Sequence, residues 1–211
     1  MRKTIFTLVP VIGLLLPVMV PAQATLYVSN LGQAETGSMA VGSDSRIAQR
    51  IITGTDSSGY ILNSVQLLMD AASGSPSGFN VSIYSSLSGN PNSNLGNLVG
   101  SDPSAGGIFT YTASGITLSP GAGYFVVATA ETPVAQGAYD WSKGNQYADG
   151  SNLWEIYPEY FTSPDGSSWT GHGRQNAFQM AIYATAIPEP ATLALAALGL
   201  AALSFRRRRL R

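Results

Sequence analysis

Ser119-Pro120-Gly121-Ala122-Gly123, followed at once by Tyr124-Phe125-Val126-Val127-Ala128, sets a tight turn against an unbroken apolar run. The turn residues supply preset and positive φ values, and the run reads as a strand buried on both faces, hence a central one. Outward from it, Val65-Gln66-Leu67-Leu68-Met69 and Val81-Ser82-Ile83-Tyr84 each place one face inward. Strands are predicted near 46–52, 61–69, 79–84, 108–111, 124–129, 138–142, 152–156 and 177–184. Between them lie Ser73-Gly74-Ser75-Pro76-Ser77-Gly78, Ser88-Gly89-Asn90-Pro91-Asn92 and Ser163-Pro164-Asp165-Gly166, all turn chemistry. Outside the two termini no window carries helical periodicity of useful length, and no internal repeat is found. About eight strands at this spacing predict an all-β fold, an antiparallel two-sheet sandwich that is jelly-roll-like.

The ends of the chain have a different character. Arg2 and Lys3 precede an apolar run over 5–20, and Ala22-Gln23-Ala24 forms an A-x-A-like cleavage site. Residues 1–24 therefore read as a secretory signal peptide, handled by the translocon and signal peptidase, with the mature chain beginning at Thr25. Pro10 and Pro17 interrupt the run and argue against its alternative, an uncleaved membrane anchor. At the other end, Ile187-Pro188-Glu189-Pro190 leads into an apolar run over 191–205 without a charge. Arg206, Arg207, Arg208, Arg209, Leu210 and Arg211 close the chain. As a helix that run spans roughly 22 Å, short of the ~30 Å hydrocarbon core, so it holds a chain at a membrane but needs local thinning to cross. The five arginines stay on the cytoplasmic side. Pro188 and Pro190 keep the preceding stretch extended, the form a protease cleft requires. The alternative, a C-terminal core helix with a solvated basic end, fits an apolar run ending in an arginine block less well.

Pro-Glu-Pro, apolar helix and arginines in this order resemble the PEP-CTERM sorting signal of Gram-negative bacteria that make exopolysaccharide. The resemblance implies a partner, the membrane transpeptidase exosortase, and a transient membrane contact through the C-terminal helix. It casts Pro188, Glu189 and Pro190 as recognition residues, with the chain cut near them and its new carboxyl end passed to a surface acceptor. On this reading 25–186 is the extracellular domain and 187–211 the sorting signal. The protein passes the inner membrane and ends at the cell surface or in the extracellular matrix.

Charge looks different once both signals are set aside. The full chain carries 11 basic and 12 acidic residues, net −1. Residues 25–186 keep only Arg46, Arg50, Lys143 and Arg174 against eleven acids, which leaves −7. So acidic a domain repels nucleic acid and anionic lipid at long range. With no cysteine, disulfides and thiolate metal sites are excluded and packing alone holds the domain.

A second resemblance covers most of the domain. Ala48-Gln49-Arg50-Ile51-Ile52-Thr53-Gly54, Tyr60-Ile61-Leu62-Asn63-Ser64-Val65-Gln66-Leu67, Tyr84 through Pro91, Leu118 through Val127, and Trp141 look like the choice-of-anchor R domain. The resemblance implies a secreted β-sandwich with a C-terminal anchor, and it carries no site residues.

Chemistry inside the domain is sparse. His172, the one histidine, sits in Gly171-His172-Gly173-Arg174 with no G-x-S-x-G elbow, so it reads as ordinary surface rather than a catalytic base. Glu155 and Glu159 could form a glycosidase pair, but solvated acids beside Pro158 are the favoured reading. Asp149-Gly150-Ser151-Asn152 and Asp165-Gly166-Ser167-Ser168 could offer oxygen ligands to calcium, yet both fit turns and neither matches an EF-hand loop. The Asn80-Val81-Ser82 sequon falls on an expected strand. No cofactor, metal or enzymatic activity is expected.

Trp141, Tyr147, Trp154, Tyr157, Tyr160, Phe161 and Trp169 crowd the C-terminal third. Core packing is favoured for most, Trp154 above all. Trp169 and Tyr157, flanked by turn residues, are the candidate glycan contacts. The expected function is therefore a secreted, surface-sorted structural or adhesive protein of an exopolysaccharide or biofilm matrix. The alternatives are a carbohydrate- or calcium-binding module and, less favoured, a secreted glycoside hydrolase. The N-terminal peptide of the exported protein should begin at Thr25; recovery of an intact Met1 end from the cell surface would reinstate the uncleaved anchor.

Overall fold

Alternation in the apolar segments is carried through into two sheets. A computed structural model of the chain describes residues 23–55, 58–145, 148–173, 176–187 and 198. The signal segment through Ala22, Pro188-Glu189-Pro190, the apolar run beyond them apart from Leu198, the arginine tail, Tyr147 and Arg174 lie outside the described residues. In chain order the first strands are β1 (Thr25–Ser29), β2 (Glu35–Val41), β3 (Arg46–Ile52), β4 (Tyr60–Met69), β5 (Ser73–Gly74), β6 (Asn80–Leu87), β7 (Asn90–Leu98) and β8 (Gly107–Thr112). The others are β9 (Thr117–Leu118), β10 (Gly123–Thr129), β11 (Gly137–Gly144), β12 (Ala148–Asp149), β13 (Glu155–Ser163), β14 (Thr170–His172) and β15 (Met180–Ala186).

One sheet runs β1-β15-β4-β11-β2, with β8 and β9 on β4 and β5 on β11. The other runs β12-β13-β3-β10-β6-β7, with β14 on β13. Every pairing between these strands is antiparallel. The inward residues of both sheets, among them Val65, Leu67 and Met69 of β4, Met180 and Ile182 of β15, Ile47 and Ile51 of β3 and Val126 of β10, form one apolar cluster. That shared cluster makes the fold a sandwich.

β10 lies between β3 and β6, and its residues from Tyr124 to Ala128 are all buried. Tyr124, Val126 and Ala128 face the main core, while Phe125 and Val127 join Ala48 and Phe161 in a second cluster on the opposite face. An apolar run without alternation is what such a position needs.

Several boundaries depart from the sequence reading. The strand expected at 152–156 begins only at Glu155, because Ser151–Leu153 is a 3₁₀ turn with Asn152 and Leu153 at φ 54° and 63°. It then runs on to Ser163, past Pro158, which β-propensity disfavours. The segment expected at 177–184 pairs as β15 from Met180 onward. β2 and β7 carry few apolar residues, and β1, though apolar from Leu26 to Val28, is a five-residue strand that follows directly on the expected signal segment. β7 is an edge strand of Asn, Ser, Gly and Pro, and it needs no buried face of its own. Only Ser88-Gly89 of the supposed turn is a turn; both have positive φ, and Leu87 pairs with Asn90 around them.

Trp154 closes one end of the core. Its ring lies 5.1 Å from Tyr27 and 4.8 Å from Tyr60, tying β1 and β4 to the start of β13. Gly54 is required beside it: a Cβ there would meet Trp154 Cδ1 and the Tyr60 hydroxyl, each at 2.7 Å. Trp141 is equally buried but donates Nε1 to the carbonyl of Gln179 at 3.1 Å, whereas Trp154 Nε1 has no hydrogen-bond partner. Trp154→Ala should therefore cost about 3–5 kcal/mol, lowering Tm by ~10 °C in a domain of this size. Trp154→Phe should be much milder than Trp141→Phe, since only the latter breaks a hydrogen bond. Equal losses in thermal melts would refute that distinction.

Candidate functional site

Two places on the sandwich bear on function, the point where the chain leaves it and the outer face of the β12–β7 sheet. The exit follows from β15, which lies between β1 and β4 and pairs Ala186 with Tyr60. Ile187 N then donates to the carbonyl of Gly59 at 2.9 Å, the last hydrogen bond of the chain among the described residues. Pro188-Glu189-Pro190 follows directly in the sequence.

The outer face of the second sheet can be laid out from its register. One row across the strands is Asn94, Tyr84, Phe125 and Arg50; the next is Asn97, Ser82, Val127, Ala48 and Phe161. Polar amides thus occupy the β7 edge, apolar rings the centre and charges the β13 side. Phe125 and Phe161 meet edge to face at 5.2 Å. Trp169 comes onto this cluster from the loop between β13 and β14 and packs edge-on to Tyr84 at 6.3 Å and 71°.

That loop is fixed by Asp165. Its Oδ1 accepts the backbone N–H of Ser167 at 2.8 Å and of Ser168 at 2.9 Å, and its Oδ2 accepts the Ser167 hydroxyl. These bonds hold the carboxyl well below the usual carboxylate range. Asp165-Gly166-Ser167-Ser168 is accordingly a turn, with Arg46 lying against Gly166.

On the β13 side the pairing with β3 slips between Ile156 and Tyr160, and the intervening Tyr157, Pro158 and Glu159 bulge outward. A buried side chain supports the bulge. Gln49, fully enclosed, donates Nε2 to the carbonyls of Tyr157 at 2.6 Å and Glu159 at 3.3 Å, and its Oε1 accepts the N–H of Phe178 at 2.9 Å. The bulge presents both side chains to Arg50, whose guanidinium reaches Glu159 at 3.1 Å and lies 4.8 Å over the Tyr157 ring.

Trp169 and Tyr157 therefore share one face, each half-buried, but they belong to different contacts on it. Trp141 and Trp154 are core. His172 is not a plain surface residue: it lies on β14, stacked on Tyr160 at 4.7 Å, with Nε2 2.8 Å from the Thr162 hydroxyl. Glu155 and Glu159 both fall on β13, and Glu159 is engaged by Arg50. Among the described residues no group of three His, Cys, Asp or Glu side chains could hold a metal ion.

Two features had no signal in the sequence. On the first sheet Glu35, Asp70 and Asp140 come close together. The Asp70 charge raises the Glu35 carboxyl, with burial adding to it, and burial followed by Asp70 raises that of Asp140. On the second sheet an open depression of about 390 Å³ lies at the β6–β7 edge, with Asn80, Ser82, Tyr84, Asn94, Asn97 and Glu131 in its wall. Spacing in the chain could not reveal either, because strand register assembles both.

The PEP-CTERM protein-sorting motif matches residues 186–209, beginning at the last residue of β15. No curated protein and no solved structure matches the chain. The motif implies a chain that is exported, passes through the membrane and is processed by an exosortase for the cell surface. Among the described residues no helix is long and apolar enough to cross a membrane.

Gln49→Leu should strand the Phe178 N–H and the carbonyls at the bulge, costing about 2–3 kcal/mol in urea unfolding. Glu159→Gln removes only a partly exposed ion pair and should cost less than about 1 kcal/mol. Reversal of that order would remove Gln49 as the support of the bulge.

Proposed function

We propose that the protein is a non-enzymatic structural or adhesive component of an exopolysaccharide or biofilm matrix, delivered to the cell surface by exosortase processing near Pro188-Glu189-Pro190. The observation that carries this reading is the sorting motif at 186–209, set directly after the last strand. A cut near the tripeptide, which follows the last strand, would release the sandwich entire. The signal segment ending at Ala22 and Ala24, and the arginines from Arg206 to Arg211, are processing and topology elements in this scheme.

The non-enzymatic part is supported at two residues that the sequence singled out: His172 is stacked and hydrogen-bonded, and Glu159, one carboxyl of the candidate glycosidase pair, is held by Arg50. The strand orders β1-β15-β4-β8 and β3-β10-β6-β7 support the jelly-roll-like reading. A carbohydrate-binding module is the second reading, favoured by the amide-lined depression.

The deciding experiment is the intact mass and C-terminal peptide of the protein taken from the native cell surface, with and without a working exosortase. A chain ending near Pro188–Pro190 only when exosortase is active is the expected result. Arg211 retained on the surface-exposed form would overturn the proposal.

A further inference from the structure

We infer that the depression at the β6–β7 edge is a binding subsite for a neutral polysaccharide chain. This rests on the reading of an exported protein lodged in a polysaccharide matrix and names where that contact is made. At about 390 Å³ the depression falls within the ~300–1,000 Å³ of small-molecule sites.

Its wall has the chemistry a sugar requires. Ser82 Oγ lies 2.8 Å from Asn80 Oδ1 and 2.9 Å from Asn97 Oδ1, and Asn94 Nδ2 donates to Asn97 Oδ1 at 2.9 Å. A hydroxyl has one proton, so Ser82 serves only one of its two oxygens and an amide acceptor remains to spare. Asn97 Nδ2 and the Glu131 carboxylate have no hydrogen-bond partner among the described residues. Planar amides and a carboxylate can each engage two neighbouring hydroxyls of a pyranose ring at once. The Asn94 Oδ1 bond to the N–H of Gly96, at 2.8 Å, holds the amide row in place before any ligand arrives.

Beside the amides stands Tyr84, braced edge-on by Trp169. A fixed aromatic next to hydrogen-bonding groups suits a sugar, which has an apolar C–H face and a polar rim. Charge selects the class of polysaccharide. Glu131 is the one charged side chain in the wall, and residues 25–186 carry net −7, so an acidic chain is repelled at both short and long range. Trp169, packed over Phe125 and Phe161, and beyond it the Arg50 guanidinium over Tyr157 continue the surface toward β13 and give a longer chain somewhere to lie.

The test uses full-length protein in mild detergent and oligosaccharides cut from the host's own exopolysaccharide, separated into neutral and acidic fractions. Of the three tryptophans, Trp141 and Trp154 are fully buried, so emission changes report Trp169. The neutral fraction should shift that emission saturably. Asn97→Ala, checked by its melt to be folded, should weaken binding about tenfold, the cost of one lost hydrogen-bonding side chain. Trp169→Phe should lose the signal yet keep retardation in affinity gels. No response to the neutral fraction, an Asn97→Ala midpoint equal to wild type, or binding of the acidic fraction alone would each overturn the inference. The two proposals fail separately. Exosortase-dependent truncation without a saccharide response sinks the subsite and leaves sorting, whereas a saccharide response on an untruncated surface form does the reverse.

Discussion

Exclusion of water from both faces of β10 is the constraint on which the rest of the architecture hangs. A strand buried on one side needs only one apolar layer above it; β10 needs two. The main core supplies the first from the opposite sheet, through residues such as Val65, Leu67 and Ile182. The second is a local lid made by Ala48 and Phe161 from neighbouring strands, with Tyr84 and Trp169 packed on it. A loop was therefore drawn over the outer face, and Asp165 is the residue that pins it. Covering Phe125 and Val127 brings a tryptophan beside a tyrosine at the rim of the polar depression. A packing requirement and a recognition surface thus share the same side chains.

How much of this was legible from the chain depends on where each signal is stored. Tyr124 to Ala128 could be read because two-sided burial demands an unbroken apolar run, and β4 because alternation survives in Val65, Leu67 and Met69. β7 could not, since an edge strand of Asn-Pro-Asn-Ser-Asn is held by its hairpin partner rather than by its own composition. The onset of β13 was misplaced because the apolar sequence around Trp154 belongs to a turn whose indole is pulled inward. Trp169 and Tyr157, expected to be exposed, are half-buried, though less buried than Trp141, Trp154, Tyr160 and Phe161, and nothing local told that they lie on one face. Asn80, Asn94 and Asn97 were invisible as a group. Their juxtaposition is a property of register, and register between β6 and β7 includes shifts that spacing does not encode.

Charge is divided between the two sheets in a way the net value hides. Asp140 alternates with the buried Tyr139 and Trp141, so it faces away from the core, and Asp70 and Glu35 gather beside it. Arg46 and Arg50 alternate with Ile47 and Ile51 and face outward from the other sheet. Acids lie on both sheets: Glu155 and Glu159 of β13 share a sheet with Arg46 and Arg50, while Lys143 of β11 shares the other with Asp140. Bringing carboxyls together costs stability, and with no cysteine in the chain that cost is offset by apolar packing.

β1 and β15 are neighbours, and they run in opposite directions with Thr25 beside Ala184. The start of β1 and the end of β15 therefore lie at one pole of the sandwich. A chain emerging from a translocon presents its first strand long before its last, and that first strand has no partner in its sheet until the last arrives. The domain closes late, as a purse closes when its string is drawn. Completion of the fold thus waits on β15, the strand at whose last residue the sorting motif begins.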